Sequence, residues 1–328
     1  MYKLVAIDLD GTMLNSYGEV TENTKRVIKE KNSNDTKIII ASGRNLNGIK
    51  NIANEVGLNE YIIAGNGATI YDVKEDKILY NKYMPKSKVL NIIKICEENS
   101  IYYSVYTNNE IIAQSLKYNV LFYYKENLKK EENKKICIKI VQDIYEYIKQ
   151  LEDEEVFKIF ICDNSQAVFN SIVKKLKDIK DVEILDVSHM SRKIIQNGSE
   201  EIPIEYFYTE VSEVGVDKWN AIEFLSQKLD INYDEIITIG DNINDKKMIE
   251  KSGLGIAMKG SREDIIKVAN FVTEDTNDNE GVAKALEKFL WAKYGKKWES
   301  KKEKNEYYKN ITKILSFCNK IKNVLILY

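Results

Sequence analysis

The sequence predicts a doubly wound α/β sheet with an α+β domain inserted into it. Three observations carry this reading. Three aliphatic runs each end on a polar residue, a helical pattern follows each run, and one long interval holds strands of another kind. The runs are residues 4–7 before Asp8, 38–41 before Ser42, and 236–239 before Gly240 and Asp241. Aliphatic runs without polar alternation belong to strands buried on both faces, as in a parallel sheet.

The helices follow in order. Thr21 can cap a helix reaching about Lys31. Leu46, Ile49, Ile52, Ala53 and Val56 repeat at helical spacing and stop at Gly57. Ala221, Ile222, Leu225 and Leu229 place another helix from Lys218 to about Leu229. Strands alternating with helices make a doubly wound sheet, whose ligands sit at the carboxyl edge of its strands. Asp8, Ser42 and Asp241 all fall at that edge.

The interval from Arg44 to Lys218 is too long for one crossover. It contains the strand-like runs "YYSVYT" (102–107), "KICIKIV" (135–141) and "VFKIFIC" (156–162), with amphipathic helices near 88–97 and 167–176. Alternation in "KICIKIV" predicts a half-exposed antiparallel sheet. The expected layout is a discontinuous core of residues 1–84 and 207–290, an inserted α+β cap of 85–206, and an extension of 291–328. That extension carries ten lysines against three glutamates, and Ile311, Ile314, Leu315, Cys318 and Ile321 follow helical spacing.

Composition narrows the function classes. A formal charge of −2 points to neither nucleic acid nor an anionic membrane as partner. No apolar stretch approaches the roughly 20 residues of a membrane span, and the opening "MYKLVAIDLDG" does not read as a leader. The four cysteines are far apart with no CxxC pair, which favours a reducing, cytoplasmic setting over a disulfide framework or a zinc site. The oligomeric state is open.

Chemistry gathers at the predicted edge. Asp8 and Asp10 repel each other in a low-dielectric cleft and call for a cation or a shared proton. Asp241 and Asp245 in "TIGDNINDKKMI" add two more acids. Hard oxygen ligands suit Mg²⁺, whereas zinc would want thiolates or histidines, and the sole histidine is His189. Ser42 with Gly43 offers a hydroxyl and an open N–H to phosphate oxygens, and Lys218 adds a point charge. His189 is read as a turn or strand residue of the cap, and Arg192 and Lys193 as a solvated hairpin. Tyr102, Tyr103, Tyr106, Tyr123 and Tyr124 are read as sheet packing before a sugar pocket.

These motifs together resemble the haloacid dehalogenase superfamily, Cof-type subfamily IIB. "DLDGT" is similar to its first motif, Ser42-Gly43-Arg44 to the second, Lys218 in "GVDKWNAIEFL" to the third and "GDNINDKKMI" to the fourth. "AGNGATIYD" and "GLGIAMKG" look like further segments of this branch, and the likeness spans about residues 2–290. It implies a Rossmann-like core with an α+β cap between the second and third motifs. It further implies Asp8 as nucleophile, forming an aspartyl-phosphate, and Asp10 as the acid and base. Mg²⁺ would be held by Asp8, the Asp10 carbonyl and Asp241, with Asp245 orienting them. Leu9, Ser42, Gly43, Lys218 and Asn244 would bind phosphate. Lys259-Gly260-Ser261 stands where the family often has Gly-Asn-Ala, and residues 187–203 exceed the usual final cap hairpin. The expected activity is Mg²⁺-dependent hydrolysis of a small phosphorylated metabolite, a sugar phosphate or phosphorylated cofactor. A sugar phosphomutase and a non-catalytic binding or regulatory module are the alternatives.

Overall fold

A computed structural model of the chain describes residues 1–290 apart from 34, 133–134, 153–154, 186–190 and 198–199. His189 and the extension of 291–328 therefore lie outside the described residues. Met1–Glu287 form one compact unit containing two sheets.

The first sheet is built on β1 (Leu4–Ile7), β2 (Lys37–Ala41), β3 (Tyr61–Ala64), β4 (Thr69–Asp72) and β5 (Lys77–Asn81). The chain then builds the second sheet from β6 (Tyr102–Thr107), β7 (Ile111–Ala113), β8 (Ile138–Ile140), β9 (Val156–Asp163), β10 (Val182–Ile184), β11 (Ser191–Asn197) and β12 (Glu200–Glu213). It returns to the first with β13 (Ile236–Gly240), β14 (Leu254–Ala257) and β15 (Phe271–Val272). The first sheet has the order β15-β14-β13-β1-β2-β3-β4-β5. Its first six strands are parallel, and β4 and β5 are antiparallel. The chain leaves β1 toward β2 and comes back on its other side at β13, so the order reverses at β1. A crevice opens at such a reversal, outside the strand ends.

Every residue of β1 and β13 is buried, as unbroken aliphatic runs require. The helices around this sheet include α1 (Glu22–Lys31), capped by Thr21, and α2 (Leu46–Glu55), capped by Asn45. The second sheet, ordered β10-β12-β9-β6-β7-β8 with β11 on β12, carries four more. They are α3 (Lys86–Glu98), α4 (Tyr118–Asn127), α5 (Ile144–Gln150) and α6 (Gln166–Leu176). Ile159 and Ile161 of β9 and Val105 of β6 pack with Val89, Ile92, Ile148 and Ile172 of α3, α5 and α6. Three details differ from the sequence reading, the first being that β12 runs on to Glu213, so the second sheet passes the expected 206/207 boundary. Only residues 138–140 of "KICIKIV" form a strand, and β8 runs parallel to β7, although the other pairings in this sheet are antiparallel. The strand is more exposed than the alternation implied, with Ile140 itself exposed, and alternation carries no information about strand direction.

After β12 the chain enters α7 (Lys218–Lys228), whose N-cap Asp217 accepts a hydrogen bond from the Asn220 N–H at 2.8 Å. The loop between β3 and β4 presses on this cap. Gly67 has φ +103°, and a Cβ there would lie 2.3 Å from the Asp217 carbonyl oxygen. Gly67→Ala is expected to cost more than about 2 kcal/mol and to lower the unfolding temperature by roughly 5 °C or more. A thermal melt unchanged from wild type would contradict the packing of this loop on α7.

Candidate active site

Asp8, the residue after β1, is buried, and its N–H donates to the Ile239 carbonyl of β13 at 3.0 Å. Lys218, the first residue of α7, is fully buried and reaches the same point. Its Nζ donates to Asp8 Oδ1 at 2.5 Å and to Asp245 Oδ1 at 2.6 Å. The other Asp245 oxygen accepts the backbone N–H groups of Asp241 and Asn242, each at 3.0 Å. Asp245 thus folds the loop after β13 around itself. Asp241 is held from the other side by the Thr12 hydroxyl, at 3.1 Å.

One carboxylate oxygen from each of Asp8, Asp241 and Asp245 lies within 4.8 Å of the others. Three acids thus stand around one ammonium, which bonds two of them, and the cluster is short of positive charge. Burial pushes the Asp8 carboxyl well above its ordinary value; Lys218 opposes that, and Asp245 and Asp241 add to it. Burial, then the charge of Asp245, pushes Asp241 up to about 7. Burial works against the Lys218 ammonium, but Asp245 and Asp8 outweigh it and raise its pKa. The close approach of strand and loop also depends on Gly11, since a Cβ there would lie 2.5 Å from Asp241 Oδ2.

The remaining expected residues surround this cluster. Asp10 turns away from Lys218: Arg44 Nε donates to its Oδ2 at 2.8 Å and an Arg44 terminal nitrogen to its Oδ1 at 2.6 Å. Burial disfavours the Arg44 charge, and Asp10 more than restores it. Ser42 follows β2, buried, with its Oγ accepting the Arg44 N–H at 3.2 Å. The Leu9 side chain is packed in the core, so any ligand contact there belongs to its backbone. Asn244 donates to Asn66 Oδ1 at 2.9 Å. Lys259 points its ammonium at the Glu274 carbonyl, 2.9 Å away.

A cleft above the cluster has two walls. Asp8, Asp10, Gly43, Arg44 and Asn66 belong to the first; Tyr106, Tyr123, Lys158, Tyr208 and Glu210 come from the second sheet and α4. Sequence reasoning missed the Arg44–Asp10 fork and the roles of Asn66, Lys158, Glu210 and Tyr208. Signals existed for two of them. Lys158 is the single charge in the apolar run "VFKIFIC", and Asn66 stands between glycines at φ 57°, a left-handed conformation that asparagine tolerates. Of the five tyrosines weighed from sequence, Tyr106 and Tyr123 reach the cleft. Tyr103 faces α3 and bonds Glu97, while Tyr102 packs edge-on against Tyr118. Burial, then Glu210, pushes Tyr208 up to about 12, so it stays a neutral hydroxyl. Arg192 and Lys193 are described only as backbone of β11.

The family model for haloacid dehalogenase-like hydrolases matches residues 5–286. The chain belongs to this family. A curated relative, the putative phosphatase YxeH of Bacillus subtilis, is 28% identical over 89% of this chain and the whole of its own. A solved haloacid dehalogenase-like hydrolase from Bacteroides thetaiotaomicron is 25% identical, with a TM-score of 0.69 over 88% of this chain and 99% of that one. A solved sugar phosphatase of haloacid dehalogenase subclass IIB shares the fold at 21% identity, with a TM-score of 0.67 over 88% of this chain and 98% of its own. These agree with the Cof-type, subfamily IIB motifs. The chain is a hydrolase of this family, with its Rossmann-like core and cap, and phosphoric monoester hydrolysis is its reaction class.

A carboxyl held above its ordinary value of 3.8, as Asp241 is, contributes stability below that value and loses it as pH rises through about 7. Metal-free protein should therefore melt at progressively lower temperature from about pH 5 to about pH 8. Added Mg²⁺ should raise the melting temperature more at the higher pH, where no proton competes for the acids. A Mg²⁺ effect that is absent, or larger at the lower pH, would contradict the shared acid cluster.

Proposed function

We propose that the chain is a Mg²⁺-dependent phosphatase of small phosphorylated metabolites, acting through an aspartyl-phosphate on Asp8. The supporting observation is the Asp8–Lys218–Asp245 bridge at the switch point of the sheet, with Asp241 beside it. The donor set fits Mg²⁺: it is oxygen-only, short of positive charge, and placed where the absence of a side chain at Gly11 leaves Asp241 room. Asp8, Asp241 and the Asp10 carbonyl would hold the ion. Asp245, with one oxygen on Lys218 and the other on two N–H groups, orients the loop. When bound, Mg²⁺ supplies the positive charge that lets a carboxylate and a phosphoryl group approach.

In this reading Asp8 attacks phosphorus in line while Lys218, Ser42, Gly43 and Asn244 hold the phosphoryl oxygens, with the Leu9 N–H beside them. The ester oxygen leaves with a proton from Asp10, which carries that proton once one of its two Arg44 bonds opens and the other keeps the carboxyl in place. Water then attacks the acyl phosphate, Asp10 takes a proton from that water, and inorganic phosphate departs with Asp8 restored. Arg44 holds the Asp10 carboxyl on the cleft wall, where an alcohol leaving group would sit. The three free cysteines among the described residues, Cys96, Cys137 and Cys162, suit a reducing cytoplasm. No helix among the described residues is long and apolar enough to cross a membrane.

Asp8→Asn should reduce phosphate release from a panel of esters by roughly 10³-fold or more, and EDTA should abolish it until Mg²⁺ is restored. Unchanged turnover in that variant, or wild type releasing phosphate from none of the esters, overturns the reading. Arg44→Lys keeps the charge but loses the fork. It should slow alkyl phosphates about tenfold or more and p-nitrophenyl phosphate much less, because that leaving group departs without a proton. Equal slowing of both would remove Arg44 from the proton transfer.

A further inference from the structure

The second sheet sends two charges into the cleft, and they engage the same loops that hold the phosphate-binding residues. Lys158 on β9 and Glu210 on β12 lie on one face of adjacent antiparallel strands, because Glu210 stands opposite Phe160 and Lys158 is two residues from it. Lys158 Nζ donates to Glu210 Oε1 at 2.7 Å and to the Gly43 carbonyl at 3.2 Å. Glu210 Oε2 accepts from Asn66 Nδ2 at 2.8 Å, and Asn66 Oδ1 accepts from Asn244 Nδ2 at 2.9 Å. The result is a chain of hydrogen bonds from Gly43 through Lys158, Glu210 and Asn66 to Asn244. Both of its ends are phosphate-binding residues in the reading above.

The backbone completes the connection. The Asn66 N–H donates to the Ser42 carbonyl at 3.0 Å, and the Gly65 N–H to the Arg44 carbonyl at 2.8 Å. The Asn66 side chain packs on Gly43, where a Cβ would stand 2.8 Å from Asn66 Oδ1. Lys158 is only 7% exposed, and its ammonium sits 4.8 Å from the Tyr106 ring centroid. A lysine that deep in an apolar strand is costly unless its charge is paired and its position used. Packing alone would be served as well by an aliphatic residue, as at Ile159 and Ile161 on the opposite face.

We propose that Lys158, anchored by Glu210, is a positioning residue that sets the Ser42–Gly43 and Asn244 loops for the phosphoryl group when the second sheet is seated on the first. This rests on the phosphatase reading of the site. The Lys158 and Glu210 side chains are one device in this account: removing either opens the chain, and removing both does no further harm. Their contribution falls on binding of the phosphoryl group, so KM and product inhibition move more than kcat.

The test uses Lys158→Met, Glu210→Gln, the double variant and Lys158→Arg in the full chain with Mg²⁺. Turnover is followed with p-nitrophenyl phosphate, and binding with inorganic phosphate, as a competitive inhibitor and by its shift of the unfolding temperature. Each single variant should raise the phosphate inhibition constant about tenfold. The double variant should match the singles and not exceed them, and Lys158→Arg should recover most of the loss. Lys158→Met leaves an unpaired buried carboxylate and can fail through instability. The double variant has no such charge, so its melting temperature should return toward wild type while phosphate binding stays weak. Wild-type phosphate affinity in the double variant, or losses that add, overturns the inference alone. Wild type that neither binds inorganic phosphate nor hydrolyses the ester overturns the phosphatase reading and this inference with it.

Discussion

The site depends on a lysine ammonium buried between two carboxylates. Lys218 would be expelled from this interior were it not bonded to Asp8 and Asp245, and both carboxylates draw on its charge in turn. That mutual requirement joins three elements. β1 supplies Asp8, α7 supplies Lys218 from a first turn fixed by the Asp217 cap, and the loop after β13 supplies Asp245. Even so, one ammonium does not balance three acids. The deficit shows in the raised values of Asp8 and Asp241, and it is the feature on which the proposed cation site rests.

The second sheet divides its labour by the alternation of its strands. Along β9, Ile159 and Ile161 point to the helices and Lys158 and Phe160 to the opposite face, where Lys158 lines the cleft. One face makes a hydrophobic core with α3, α5 and α6, and the other presents charge and phenol groups. Phe160 stacks on Tyr208 at a centroid distance of 5.1 Å, so the polar wall is itself stiffened by aromatic packing. A single strand can therefore hold the sheet together and also carry a group to the site.

Much of the site was legible because its acids and hydroxyl sit directly after strands. Asp8 and Asp241 follow the aliphatic runs of β1 and β13, and Ser42 follows β2, so strand recognition placed them at one edge. Lys218 was legible as the start of a helix. What could not be read was the partner of Asp10. Asp10 is two residues from Asp8, yet its carboxylate is taken by Arg44 while Asp8 faces Lys218. Local spacing does not encode that division, because it follows from side chains converging from β1, β2 and α7. Lys158 and Glu210 were hidden for a similar reason. A lysine in one strand and a glutamate 52 residues later become a pair only through the register of β9 on β12.

Local patterning was enough for the core strands and their helices, the layered α/β class and the residues at the carboxyl edge. Hydrophobic period and the polar residue ending each run are local properties, readable within a few positions. The tertiary structure alone decided that β8 runs parallel to β7, that Arg44 grips Asp10, and that the second sheet reaches Gly43 and Asn66 through Lys158 and Glu210. Each of these depends on which distant segments meet and in what direction. Burial then sets their strength, since the same charges that water would screen interact strongly once a second sheet closes over them.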